Sequence, residues 1–222
     1  MPLPCNRRSF LTSLAVGSTA LALPSYLLAA DASLPQIPDL YTQVPQISGE
    51  WNRVRMFFSF SCPFSKKWHA GFMNWGKSLP ASMAFMPTPL VTIADDESYP
   101  AALAFYSAWK ASPERIAHFM EMGYEAVQVK RLDPTDVRTY IMAASNAGVD
   151  MKRYLDLSRK QTLASSVESA GILAQRYKLT GTPSFGIGGR YMVSPEGVGG
   201  NEGLMYQLLN AMVSKGVHDR RG

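Results

Sequence analysis

The sequence predicts an α/β fold in which a block of helices separates two groups of strands. Residues 56–60 (Met-Phe-Phe-Ser-Phe) are a short apolar run that is typical of a buried strand. Residues 99–177 carry several consecutive helical patterns, too many for one crossover between neighbouring strands. Near the C-terminus, Gly188-Gly189 is a two-residue turn signal that predicts an antiparallel hairpin. A chain of 222 residues is long enough for one well-buried domain with an insertion.

The central strand is expected over residues 53–60, and it leads through Cys62 into a helix over residues 63–77. Proline lacks an N–H and is best tolerated at the first helical position, so the helix should begin at Pro63. The apolar residues that follow at helical spacing are Phe64, Trp68, Phe72 and Trp75. Cys62 is therefore expected at the helix N-terminus, where free N–H groups and the macrodipole favour an anion such as a thiolate.

The middle of the chain is expected to be one further strand followed by helices. Residues 83–93 are strand-like but contain Pro87 and Pro89, which favours an edge or irregular strand. The helices are expected at about 101–110, 114–122, 136–147, 151–158 and 165–177. After the hairpin, Asn201 is a good N-cap for a last helix that should end at Gly216. Its buried face is predicted to contain Leu204, Leu208, Met212 and Val213.

The first 30 residues are interpreted as an export signal. Arg7 and Arg8, followed by Phe10-Leu11, resemble the twin-arginine export consensus, and a small-residue apolar stretch follows. A retained membrane anchor is the alternative. The stretch is short and is broken by Pro24, which favours cleavage and a periplasmic location. Residues 31–50 contain three prolines and little periodicity, and are expected to run extended along the surface.

Composition excludes several classes of function. The formal net charge of +5 is small and dispersed, with no basic stripe interleaved with aromatic residues, so no nucleic-acid partner is predicted. The three histidines are isolated, and the sequence lacks a glycine-rich phosphate loop, so neither a metal nor a cofactor is predicted. His69 lies about two helical turns beyond Cys62 and is not assigned as a general base.

The sequence has two cysteines, and Cys5 lies in the signal segment. If that segment is removed, Cys62 is the single remaining thiol and no intramolecular disulfide can form. A buried, inert cysteine is the simpler alternative for Cys62. Its position at a helix start, directly before proline, favours a functional thiol.

The active-site segment of the thioredoxin superfamily has a similar order of strand, Cys-Pro and helix, so this part of the chain resembles it. The residues directly before Cys62, Phe-Phe-Ser-Phe-Ser at 57–61, are most similar to the DsbA-like thiol–disulfide oxidoreductases. Gly181-Thr182-Pro183 is similar to the superfamily's cis-proline loop. The resemblance spans about residues 51–215 and implies a thioredoxin-like fold with an inserted helical subdomain. It implies domain boundaries of 51–95 and 178–216 for the thioredoxin-like part and 96–177 for the insertion.

The chain departs from this family at Ser65, where the family has its second active-site cysteine. The resemblance implies Cys62 as the nucleophile, with Ser65 at most a hydrogen-bond donor to it. It implies Pro63, Phe64, Thr182 and Pro183 as substrate contacts, although packing in the core or at its rim is the favoured role for Phe64 and for Trp68. Serine cannot resolve a mixed disulfide, so exchange by one thiol, as an isomerase or holdase, is expected rather than dithiol oxidation.

The expected partners are exported proteins with cysteines and an external thiol or redox partner, with membrane contact only through an uncleaved signal. Two other classes stay open. A non-catalytic binding factor for a secretion or conjugation apparatus would use the same groove without a redox step. A glutathione-using enzyme is the other, because kappa-class glutathione transferases share the fold and carry a Ser-Pro-x-x segment that residues 62–65 partly resemble. The export signal argues against this second class, since glutathione is chiefly cytosolic.

Overall fold

In the part of the chain that the structure describes, five strands form a single mixed sheet. The structure is a computed structural model that describes residues 40–92 and 97–219; the proposed export signal, residues 31–39 of the lead and Ile93 lie outside them. The strands are β1 (Thr42–Gln43), β2 (Arg53–Phe58), β3 (Ala84–Pro89), β4 (Ser184–Ile187) and β5 (Tyr191–Val193). Their order in the sheet is β1-β5-β4-β2-β3. The α/β fold class is confirmed, as is the edge position of β3.

Strand β2 lies inside the sheet, and the chain leads from its end through Cys62 into a helix. It pairs in parallel with β3 and antiparallel with β4, so that Phe57 has Thr88 on one side and Ser184 on the other. Five of its six residues are buried, as a strand covered on both faces requires. The strand ends at Phe58, two residues before the predicted end, because Ser59 to Cys62 form a turn with a hydrogen bond of 3.2 Å from the Cys62 N–H to the Ser59 carbonyl.

Helix α1 (Pro63–Lys77) begins and ends as the sequence predicted. Its apolar face packs on the sheet: the ring centroid of Phe72 lies 4.7 Å from that of Phe185, and the centroid of Trp75 lies 6.1 Å from it. Local sequence signals are enough to predict the bounds and the buried face of α1, because proline fixes the first turn and the apolar spacing sets the face that packs on the sheet.

Among the described residues between β3 and β4, five α-helices follow one another, in agreement with the block of helices predicted there. They are α2 (Ser98–Ala111), α3 (Ile116–Tyr124), α4 (Val137–Asn146), α5 (Met151–Ser158) and α6 (Gln161–Arg176). The predicted helix over 114–122 is divided: a 3₁₀ turn at Pro113–Arg115 precedes α3, and a π-helix at Glu125–Val129 continues it. Helix α6 begins four residues before its predicted start, because the fully buried Leu163 anchors a first turn without a capping side chain.

The inserted helices and the sheet share one core. Phe58 contacts Phe105 and Tyr124 edge to face, and Phe60 contacts Tyr124 in the same way, with ring centroids 5.2–6.3 Å apart. All the described residues fall in one compact unit, Ile37–Gly222. The predicted domain boundaries at 95/96 and 177/178 therefore stay predictions.

The lead segment differs from its predicted course along the surface. Thr42 and Gln43 pair antiparallel with β5, and Val44 and Ile47 are buried in a smaller core with Phe57. The sequence pattern misses this strand because only two residues pair, too few to show a period of two.

The hairpin is confirmed: β4 and β5 pair antiparallel across Gly188 and Gly189, which have positive φ angles of 60° and 70°. Helix α7 (Glu202–His218) is capped by Asn201 as predicted, but it continues two residues beyond Gly216. Its predicted face was wrong at Leu204, which is exposed. The buried residues are Met205, Leu209, Met212 and Val213, which match the helical period more closely. None of the helices in the described ranges is long and apolar enough to cross a membrane.

Candidate active site

Cys62 is the N-cap of α1 and is half-buried at the C-terminal end of β2. Its backbone is extended (φ −84°, ψ 117°), and its Sγ accepts a hydrogen bond of 3.5 Å from the Ser65 N–H. No acidic residue lies in the first turn of the helix. The thiol therefore faces the N-terminal end of a helix dipole, an environment that stabilises negative charge.

The loop before β4 meets this thiol from the other side of the site. The Thr182–Pro183 peptide bond is cis. The Cys62 Sγ lies 3.0 Å from the Thr182 carbonyl oxygen and donates to it in its thiol form. Since β4 pairs directly with β2, the sheet itself brings Thr182 and Pro183 next to the helix start.

Ser65 lies one turn into α1, and only 3% of its side chain is exposed. Its hydroxyl accepts a hydrogen bond of 3.5 Å from the Ser59 N–H. The contact between Ser65 and the sulfur is thus made by its backbone amide, whereas its hydroxyl ties α1 to the end of β2.

A groove of about 450 Å³ runs beside the thiol. Phe64 and Lys67 of α1 line it together with Thr182 and Pro183. Phe64 is 61% exposed, so it does not pack in the core, and rim packing and substrate contact both stay predictions. Trp68, by contrast, is 3% exposed and packs against Phe72. Pro63 is exposed but does not line this groove.

The inserted helices supply the wall behind Cys62, a contribution that the sequence pattern does not predict. Gln128 donates from its side-chain amide to the carbonyl oxygens of Phe60 at 2.7 Å and Cys62 at 3.0 Å. Burial raises the pKa of Tyr124 well above its usual value of 10; the charge of Cys62 acts in the same direction, and the Ser65 hydroxyl opposes it. Both residues lie more than sixty positions beyond Cys62, and no local pattern connects them with it.

His69 belongs to the same wall. Its Nε2 lies 3.0 Å from the Ala117 carbonyl oxygen, and a carbonyl partner requires this nitrogen to donate. Burial lowers the pKa of His69, and the Ala117 contact and Glu121 act against that shift. The imidazole is therefore a neutral structural contact between α1 and α3.

Two acidic residues lie near the site: Glu196 lines the groove, and Glu97 contacts the turn before Cys62. Ser61, directly before Cys62, donates a hydrogen bond from its hydroxyl to the Glu97 carboxylate. Within residues 40–92 and 97–219, no group of three or more histidine, cysteine, aspartate or glutamate side chains could hold a metal ion.

A helix-capping cysteine at the end of a central strand, facing a proline loop that precedes an antiparallel hairpin, defines a thioredoxin-fold protein, here with a helical insertion. The family model of the DSBA-like thioredoxin domain matches residues 67–202, and the chain belongs to this family. The matched region begins five residues after Cys62, so membership rests on the fold-forming sequence rather than on the Cys-Pro motif.

The comparisons with individual proteins agree. The chain is 24% identical over 185 residues to the thiol:disulfide interchange protein DsbA of Bordetella pertussis, covering 83% of this chain and 85% of the relative. Among solved structures it is similar to Pseudomonas aeruginosa DsbA, with a TM-score of 0.72 and 18% identity over 82% of this chain and 95% of that one. Neisseria meningitidis NmDsbA1 has a TM-score of 0.67 and 16% identity, over 82% and 94%. At these identities the structural likeness establishes the thioredoxin-like fold.

Proposed function

We propose that the protein exchanges disulfides of protein substrates through one thiol, that of Cys62. The observation that carries the proposal is the position of its Sγ, at a helix N-terminus and 3.0 Å from the Thr182 carbonyl oxygen. Membership of the DSBA-like family and the names of the curated relatives support thiol:disulfide interchange as the reaction.

The reaction needs no second cysteine in the chain. The Cys62 thiolate attacks one sulfur of a substrate disulfide; an Sγ–S bond forms, the substrate S–S bond breaks, and the other substrate sulfur leaves as a thiolate. The Ser65 hydroxyl cannot displace sulfur. Another cysteine of the substrate, or an external thiol, attacks the substrate sulfur of the mixed disulfide and releases Cys62. When the attacking cysteine belongs to the substrate, a disulfide has moved and no net oxidation has occurred.

Substrate recognition is assigned to the groove. An extended peptide can lie along the Thr182–Pro183 loop, where proline provides no N–H of its own and the neighbouring backbone groups can pair with an added strand. Phe64 offers an exposed aromatic ring on the rim of the groove. These features suit unfolded or partly folded proteins that present cysteines in extended segments.

The proposed compartment is the periplasm, reached by the twin-arginine route. This part of the proposal rests on Arg7, Arg8 and the apolar stretch that follows them, all outside the described residues. In an oxidising compartment, disulfides of exported proteins would be available as substrates. An external thiol of that compartment would complete the cycle.

A non-catalytic binding factor is the second candidate. Two observations favour it: Phe64 is exposed beside the groove, and the Cys62-Pro63-Phe64-Ser65 segment has only one cysteine. The two candidates differ in their need for sulfur. We expect a full chain with Cys5→Ser to form a mixed disulfide with a disulfide-bonded peptide and to rearrange a scrambled multi-disulfide protein. Adding Cys62→Ser to this chain should abolish both reactions and should leave the binding of peptide in the groove unchanged. Rearrangement that survives Cys62→Ser would overturn the proposal.

A further inference from the structure

The side chain of Gln128 contacts the backbone on both sides of Ser61. Its Nε2 lies 2.7 Å from the Phe60 carbonyl oxygen and 3.0 Å from the Cys62 carbonyl oxygen. Two carbonyls can only accept, so the amide nitrogen must face them and uses one hydrogen for each. One side chain of the inserted helices thus holds the turn that presents the thiol.

The local backbone explains how Gln128 reaches this turn. It lies in the π-helix Glu125–Val129, in which the Lys130 N–H bonds the Glu125 carbonyl at 2.9 Å. Such single π turns are rare and frequently occur at functional sites. Gly123, one turn earlier, allows the helix to approach closely, because a Cβ there would lie 2.4 Å from the Phe60 ring.

The turn held by Gln128 determines where the sulfur lies. The Cys62 N–H bonds the Ser59 carbonyl at 3.2 Å, and the Cys62 carbonyl accepts the first helical bond from the Lys66 N–H, also at 3.2 Å. A movement of this backbone would carry the Sγ away from Thr182 and from the Ser65 N–H. Reactions that need aligned groups are sensitive to displacements of this kind.

We propose that Gln128 is a positioning residue for Cys62: it fixes the turn at residues 59–62 from the inserted helices and thereby aligns the thiol with the Thr182 loop. Its effect on disulfide exchange rests on the proposed function. Its effect on the turn does not. The two effects can therefore be measured separately.

The test uses the full chain with Cys5→Ser and adds Gln128→Met, which keeps an unbranched side chain of similar length and removes both donors. Ser112→Ala is the matched control. It removes the hydroxyl that accepts from the Asp150 N–H at 3.0 Å, a partly buried hydrogen bond within the inserted helices that does not involve Cys62. Each variant is measured by amide hydrogen exchange over residues 59–66 and by the rate of mixed-disulfide formation with a disulfide-bonded peptide. Cys62 alkylation by iodoacetamide is the third measurement.

We expect Gln128→Met to speed hydrogen exchange at Cys62 and Lys66 about ten-fold and to slow mixed-disulfide formation about ten-fold. Alkylation, which needs no alignment with the Thr182 loop, should change less than mixed-disulfide formation. Ser112→Ala should leave all three measurements at the level of the parent chain.

Two results would overturn the inference: unchanged hydrogen exchange over residues 59–66 in Gln128→Met, or faster hydrogen exchange with an undiminished rate of mixed-disulfide formation. A parent chain that forms no mixed disulfide would instead overturn the proposed function. In that case hydrogen exchange alone would still decide whether Gln128 holds the turn.

Discussion

The sulfur of Cys62 and the carbonyl oxygen of Thr182 lie 3.0 Å apart, although 120 residues separate them in the sequence. Cys62 follows β2 and Thr182 precedes β4, and these two strands are hydrogen-bonded neighbours. The contact is therefore a product of strand pairing, and it places a thiol against the backbone on which a substrate strand would lie.

Replacing Ser65 with cysteine should convert a one-thiol site into a dithiol site. The Ser65 N–H is already 3.5 Å from the Cys62 Sγ, so a sulfur at this buried position would lie near the first one. With Cys5→Ser, the parent chain treated with oxidised glutathione should retain a glutathione adduct on Cys62. Ser65→Cys should instead form an internal disulfide, seen by mass as loss of both thiols without an adduct. Ser65→Ala is the control, and an adduct that persists in Ser65→Cys would contradict the prediction.

Phe64→Ser should weaken substrate binding without affecting stability. The side chain is 61% exposed and lines the groove, so its removal costs the fold little. We expect the half-saturating peptide concentration to rise about five-fold, the equivalent of about 1 kcal/mol of binding energy. Ile172→Ser is the matched control, since Ile172 is 52% exposed on α6 and does not line the groove. Equal effects of the two substitutions would argue against a role for the groove.

Gly123→Ala should destabilise the protein, because its Cβ would lie 2.4 Å from a ring carbon of the fully buried Phe60. Overpacking of this kind costs about 1–3 kcal/mol. Gly203→Ala is a matched control within α7, where the nearest atom to the added Cβ is 3.5 Å away. It should be neutral or slightly stabilising. Urea unfolding at pH 7 measures both, and a Gly123→Ala chain as stable as its parent would disprove the close approach of α3 to Phe60.

Glu50→Gln should be strongly destabilising. The Glu50 carboxylate is 3% exposed and bonds both Arg53, at 2.9 Å, and the buried Arg55, at 2.8 Å. Burial lowers the pKa of Arg55, but the Glu50 contact outweighs it, so the guanidinium stays charged. Loss of one partner of a buried pair costs about 3–5 kcal/mol. Arg138→Met, which breaks an ion pair of an 85% exposed arginine, should give no measurable change in the same unfolding experiment.

Stability should fall on acidification partly because of His69. Burial lowers its pKa in the folded state below the unfolded value of about 6.5. The unfolded chain therefore binds a proton at a higher pH, and the free energy of unfolding falls as the pH drops below about 6.5. His69→Gln should reduce the loss of stability between pH 7 and pH 5. Identical pH profiles for the parent and the His69→Gln chain would refute this assignment.

The inserted helices show where sequence patterns stop being informative. Their number and order followed from apolar spacing, and α5 has its predicted bounds. The π-helix that carries Gln128 did not, because α and π turns have the same local composition. Leu204 shows the same limit on α7. A four-residue spacing of apolar residues predicts Leu204 on the buried face, yet the packed helix buries Met205 instead.

The sequence by itself determined the elements whose signals are local. Proline fixed the start of α1 directly after Cys62, Asn201 capped α7, and the paired glycines at 188 and 189 turned the hairpin. Tertiary structure alone decided which distant groups meet the thiol, namely the Thr182 carbonyl through strand pairing and the Gln128 amide through helix packing. Backbone propensities act over a few neighbouring residues, whereas these contacts depend on how the whole core packs, and no short stretch of sequence encodes that.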